Sequence, residues 1–99
     1  MHTKPINTSN LTFVDLFAGC GGLSLGLAQA GLRGLFAIER DKLAFSTFEA
    51  NFLGERNVPI RKFDWPVWLN KAAWPIDELL DKHVQELLSM RGKVDVIGG

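Results

Sequence analysis

Phe13-Val14-Asp15-Leu16-Phe17-Ala18-Gly19-Cys20-Gly21-Gly22 decides the fold of this 99-residue chain. Residues 11–17 are a short apolar run with β-branched and aromatic members, the composition of a buried parallel strand. The glycines follow at once, and Leu23, Leu25, Leu27, Ala28 and Ala30 then lead to Gly31, a helix with its terminator. A strand, a glycine loop and a helix in that order can cradle a nucleotide-like cofactor. Glycine lets the backbone turn sharply and a ligand approach without meeting a Cβ, and the N–H groups opening the helix favour a negative group. The loop also reads as a tight turn with no ligand, because Ser24 stands where the dinucleotide pattern G-x-G-x-x-G/A has its third small residue.

Outward from this unit, strands and helices alternate. Residues 33–38 read as a second strand ending at Glu39-Arg40-Asp41, and 41–52 as a helix with Leu43, Ala44, Phe48 and Phe52 at helical spacing. Val58 to Phe63 reads as a third strand, which Pro59 confines to a strand start or a sheet edge. The Trp- and Pro-rich stretch 64–75 reads as a loop. Residues 76–90 form the clearest helix, with Ile76, Leu79, Leu80, Val84, Leu87 and Leu88 as one apolar stripe, Asp77 and Glu78 in the first turn and Gly92 after its end. A last strand is expected at 93–97. The order β-α-β-α-β-α-β predicts an α/β fold, a parallel sheet flanked on both faces by helices with right-handed crossovers. Residues 1–10 are a polar tail, leaving 11–99 as one unit.

Composition narrows the classes. Hydrophobic content of 46% with 22% charged residues is globular. No apolar run approaches the roughly 20 residues of a membrane span, and the N-terminus lacks the apolar stretch of a signal peptide. One cysteine cannot form an internal disulfide, which points to a cytoplasmic setting. Eleven basic and eleven acidic residues cancel, so the total charge holds no footprint for a nucleic-acid backbone; Arg56, Arg61 and Lys62 make only a small basic cluster.

Several side chains carry candidate chemistry. Glu39 follows Gly19 by 20 residues at the end of the second strand, where an acid accepts hydrogen bonds from ribose hydroxyls. Asp64, just past the third strand, is expected on the same carboxyl-end rim, either accepting from an adenine amino group or capping a turn. Asp15 reads first as a residue that orients the loop through backbone N–H groups, with contact to the cofactor's amino group as the alternative. Cys20 reads as a small packed side chain, His83 as a helix-surface residue, and Trp65, Trp68 and Trp74 as packing anchors of the loop. No metal-ligand spacing is present.

The run Asp15-Leu16-Phe17-Ala18-Gly19-Cys20-Gly21-Gly22-Leu23-Ser24 resembles the first motif of the DNA (cytosine-5)-methyltransferases. Phe36-Ala37-Ile38-Glu39-Arg40-Asp41, Ala50-Asn51-Phe52 and Asp64 fall in that family's order, and Val94-Asp95-Val96-Ile97-Gly98-Gly99 is similar to the strand leading into its catalytic Pro-Cys motif. The resemblance implies a partial Rossmann-like S-adenosylmethionine-dependent methyltransferase fold, with S-adenosylmethionine as cofactor. It implies that Phe17 packs on the adenine, a role for which a core position at the strand end is the competing reading. The backbone of Ala18, Gly19, Gly21, Gly22 and Leu23 would hold the methionine part, Glu39 the ribose and Arg40 the adenosine, while Asp64 and the Trp65 backbone would read the adenine edge. The family swings cytosine out of the duplex, adds a cysteine thiolate to ring carbon 6 with support from a glutamic acid, and methylates carbon 5. Neither that cysteine nor that glutamate motif is among these residues, so no catalytic residue is expected here. The resemblance thus implies an N-terminal, cofactor-binding portion, inactive alone, of an enzyme whose partner is double-stranded DNA. A freestanding nucleotide-binding module, or a regulatory half that assembles with another chain, is the alternative. An open sheet edge at the last strand predicts self-association. About thirty residues separate Asp64 from the last strand, more than a minimal connection needs.

Overall fold

A computed structural model describes residues 10–54 and 62–99. The elements are β1 (Thr12–Asp15), α1 (Gly22–Gln29), β2 (Arg33–Ala37), α2 (Lys42–Phe52), α3 (Ile76–Ser89) and β3 (Val96–Gly98). The three strands form one parallel sheet in the order β2-β1-β3. The expected third strand at 58–63 falls mostly outside the described residues. Directly after it, the Asp64 N–H donates to the Gly34 carbonyl at 2.9 Å, so the chain there runs beside β2.

Alternation along the strands feeds two cores, one on each face of the sheet. Phe13 and Ala37 point to a core closed by Phe45, Phe48 and Phe52 of α2 with Phe63, while Val14 and Phe36 point to one closed by Leu69, Trp74 and Leu79. A helix-flanked parallel sheet, as expected from the alternation, is therefore present, consistent with the partial Rossmann-like fold that the resemblance implies. The α2 core is mainly aromatic: the Phe48 and Phe52 rings stack at 4.7 Å, and the Phe63 ring meets Phe13, Phe48 and Phe52 edge-on. Asp41 caps α2 by accepting the Ala44 N–H at 2.8 Å. No helix among the described residues is long and apolar enough to cross a membrane.

Four expectations change. The last strand lies at Val96–Gly98 and not at 93–97. The segment before it is tied to β1 at Asp95, whose Oδ2 accepts the Thr12 N–H at 2.8 Å and whose own N–H donates to the Thr12 carbonyl at 3.2 Å. In α2, Leu43 is 80% exposed, because the buried face runs through Phe45, Phe48 and Phe52. The six-residue stripe of α3 is split: Leu79 is buried, whereas Leu80, Val84 and Leu88 face outward. Six apolar residues over this length cover more than one helical face, and the sheet can meet only one. His83 takes the inward position between Leu79 and Leu87, its ring 5.0 Å from Trp68 and 5.6 Å from Trp74, so it is packed among aromatic rings and not on the helix surface. The helix is locally non-helical at His83 (φ −127°, ψ 27°). The tryptophans anchor the loop as expected: Trp65 Nε1 donates to the Leu69 carbonyl at 2.8 Å and Trp74 Nε1 to the Asn70 carbonyl at 3.0 Å.

Candidate functional site

The site begins where β1 ends. Asp15 is fully buried, and its carboxylate accepts the Ser24 hydroxyl at 2.9 Å and the Phe17 N–H at 3.3 Å. The last residue of the strand is thereby tied both to the loop and to the first turn of α1, which is the orienting role. Ser24 is itself fully buried. Its departure from the dinucleotide pattern has a physical reason, since a glycine or alanine there would leave the buried carboxylate one donor short.

The loop needs its glycines. Gly21 sits at φ +106°, and a Cβ there would lie 2.3 Å from Phe52 Cε2, inside the aromatic core. Gly19 sits at φ +54°, where a Cβ would meet nothing, and its N–H donates to Glu39 Oε1 at 2.9 Å. The other oxygen of Glu39 accepts the Asp41 N–H at 2.7 Å. Glu39 thus clamps the glycine loop of β1 to the end of β2. No side chain caps the start of α1. Leu23 lies over β3, its Cδ2 2.5 Å from where a Cβ on Gly98 would stand.

At the carboxyl ends of β1 and β2 these elements enclose a cavity of ≈ 360 Å³ lined by Leu16, Phe17, Ile38, Glu39, Arg40, Trp74, Pro75, Ile76 and Asp77. Of the residues singled out in the sequence, Phe17, Glu39 and Arg40 meet here. Phe17 is 68% exposed, which removes the competing reading of a core residue at the strand end. Ala18 is buried beneath the loop, and its N–H donates to the Ile38 carbonyl at 2.9 Å. The loop glycines and Leu23 do not line the cavity; Gly19 reaches it through its bond to Glu39.

Two expectations are corrected here. Asp64 and Trp65 do not line the cavity. Asp64 is held beside the amino-terminal half of β2 by its bond to Gly34, with its carboxylate 3.0 Å from Arg33 Nε, so it is not on the carboxyl-end rim. Trp65 packs instead against Phe45 and Phe63. Cys20 is exposed and free, not packed, because the turn at Gly19 and Gly21 carries it outward. Sequence reasoning missed the second wall, Trp74 to Asp77. The signal was present in the Trp-Pro pair and the acidic first turn of α3, but both have ordinary structural explanations. The Trp74 N–H donates to the Glu39 carbonyl at 2.8 Å, which joins this wall to the rim. No cluster of potential metal ligands exists among the described residues.

The family model described as C-5 cytosine-specific DNA methylase matches residues 11–68, more than half of the chain. Among curated proteins, the type II methyltransferase M.HgiGI of Herpetosiphon aurantiacus is 43% identical over 51 residues, 52% of this chain and 37% of that protein. The type II methyltransferase M.PspPI of Psychrobacter sp. is 52% identical over 51 residues, 52% of this chain and 12% of its own length. The type II methyltransferase M.BsuFI of Bacillus subtilis is 50% identical over 46 residues, 46% of this chain and 11% of its own length. The matches thus cover between about a tenth and just over a third of these relatives. No solved structure matches.

Proposed function

This chain belongs to the C-5 cytosine-specific DNA methylase family, and from that premise we propose that it forms the S-adenosylmethionine-binding front of a DNA (cytosine-5)-methyltransferase. The observation that carries the reading is the cavity at the carboxyl ends of β1 and β2, where Phe17, Glu39 and Arg40 meet. Ligands of open α/β sheets bind at that end.

The residues present fit the cofactor. The exposed ring of Phe17 offers a face to a purine. Glu39 retains acceptor capacity after its bonds to Gly19 and Asp41, since a carboxylate offers about four lone-pair sites. It accepts from the ribose hydroxyls. Arg40 lies along the adenosine, and the N–H groups of Gly22 and Leu23, opening the uncapped helix α1, receive the methionine carboxylate, while Ala18, Gly19 and Gly21 shape the loop that presents them. When bound, the cofactor supplies an electrophilic methyl group; the chain's own part is to hold and orient it. Asp64 and Trp65 stand away from the cavity and are left out of this assignment.

In this reading cytosine in double-stranded DNA is the methyl acceptor and the setting is cytoplasmic. The single cysteine, Cys20, belongs to the cofactor loop, so these 99 residues alone do not methylate DNA. Ile97 on β3, which forms one side of the described sheet, is 68% exposed and is the proposed place of self-association. Calorimetric titration with S-adenosylhomocysteine and NADH side by side tests the cofactor assignment. Saturable binding of S-adenosylhomocysteine alone is expected; binding of NADH alone, or of neither, refutes it.

A further inference from the structure

The sheet takes up only one side of α3. Leu79, His83 and Leu87 turn toward the core beneath it. Leu80, Val84 and Leu88, each one residue further along, turn to solvent, with 54%, 46% and 51% of their surface exposed. Both rows keep their four-residue spacing across His83, where the backbone departs from helical geometry. The outer row is therefore one unbroken apolar line, about 12 Å long at 1.5 Å per residue. Single exposed apolar side chains are ordinary; three in line on one helix face are a surface in search of a cover.

The charges around this row are sorted by sign. Asp77, Glu78 and Asp81 lie at its amino-terminal end, and Arg91 and Lys93 lie beyond its carboxyl end, all of them exposed. The two remaining charged side chains of α3 are occupied elsewhere: Lys82 sits over the Trp74 ring and Glu86 faces His83. Asp77 precedes Val84 by seven residues and Arg91 follows it by seven, about two helical turns each way. Neither makes an ion pair with a described residue. Arg91 continues the last turn of the helix, its N–H donating to the Leu88 carbonyl at 3.2 Å.

A surface whose opposite charges stand at equal distances from its centre is complementary to itself once turned through a half circle. We propose that α3 packs antiparallel against α3 of a second copy of this chain, about a two-fold axis beside Val84. Val84 then meets the partner's Val84, Leu80 meets the partner's Leu88, and Asp77 pairs with the partner's Arg91 at both ends. A parallel arrangement would set acid against acid and base against base, which fixes the direction. This contact is separate from the one proposed at Ile97 on β3, and it does not depend on the cofactor reading. One helix face per copy is a small interface, so the dimer is a weak and reversible one.

The test is sedimentation velocity on the full chain carrying Ile97→Glu, whose added charge closes the β3 contact and leaves the α3 face to be read. This parent is expected to pass from monomer to dimer as its concentration rises to about 1 mM, where weak association is still visible. Val84→Glu on the same parent sets two carboxylates against each other at the axis and is expected to give a monomer throughout. Because Val84 already meets solvent, its helix content by circular dichroism is expected to match the parent's. Asp77→Arg is expected to weaken the dimer about tenfold or more, through two lost ion pairs and the repulsion that replaces them. Combining it with Arg91→Asp is expected to restore the dimer, since each pair is again opposite in sign. A parent that stays monomeric at about 1 mM overturns the α3 contact and leaves the β3 contact to account for any dimer of the unmodified chain. A dimer untouched by Val84→Glu likewise overturns it, and failure of the charge exchange to restore the dimer overturns the antiparallel pairing.

Discussion

Replacing Gly21 by alanine is expected to unfold much of the margin that holds this chain together. At φ +106° the backbone lies where an L-residue is strained, a cost of about 1–3 kcal/mol. The new Cβ would also stand 2.3 Å from Phe52 Cε2, 3.1 Å from Phe52 Cζ and 3.3 Å from Phe48 Cδ2. Phe52 cannot swing aside cheaply, because its ring is stacked on Phe48 at 4.7 Å and meets the Phe63 ring at 5.7 Å. Overpacking of a filled core costs about 1–3 kcal/mol. The two together come to about 2–6 kcal/mol, set against about 5–15 kcal/mol for a domain of this size. With a urea dependence of about 2 kcal/mol per molar and a loss of about 4 kcal/mol, the middle of each range, the unfolding midpoint should fall by about 2 M. Gly22→Ala is the control: its Cβ would meet nothing within 4 Å and its φ is not positive, so the midpoint should hold or rise slightly. Equal midpoints for the two variants, followed by circular dichroism, would show that the loop does not pack on α2 as described.

Two further substitutions separate folding from binding. Phe17→Ala removes a ring that is 68% exposed, so stability should stay within about 0.5 kcal/mol of the parent. S-adenosylhomocysteine affinity should nevertheless drop about fivefold or more, as for a lost stacking partner of a base; unchanged affinity in calorimetry would take Phe17 out of the site. Ser24→Ala deletes the 2.9 Å bond to the buried Asp15 carboxylate and should cost about 1.5–3 kcal/mol in urea titration. A loss below about 0.5 kcal/mol would mean that Asp15 is satisfied by other donors.

Much of the fold was legible because its signals are local. The apolar run 11–17, the glycines after it and the terminator Gly31 each constrain a few neighbouring residues, and β1, α1 and the positive φ of Gly31 follow. The helical spacing of Ala44, Phe48 and Phe52 announced α2, and Asp41 caps it. Glu39 stood out by its distance from Gly19, and it does reach that loop, by a bond to the loop backbone. The buried face of α3 was not legible. Its apolar residues are too many for one face, and a histidine sits on the inward side between two tryptophan rings. Asp64 was misplaced because its position follows from pairing with Gly34 and Arg33, which no local pattern encodes.

Local chemistry in the chain therefore settles the order of strands and helices, the turn at the glycines and the loop cradle beside β1. Backbone propensity and short-range periodicity act over a few residues, and those are readable one after another. Which residues close that cradle is a different kind of fact. The far wall comes from Trp74 to Asp77, brought to Glu39 by a 2.8 Å bond between backbone groups 35 residues apart. A backbone N–H and a carbonyl are the same in every non-proline residue, so nothing in the identity of either one names the other. Packing on the two faces of the sheet makes that choice.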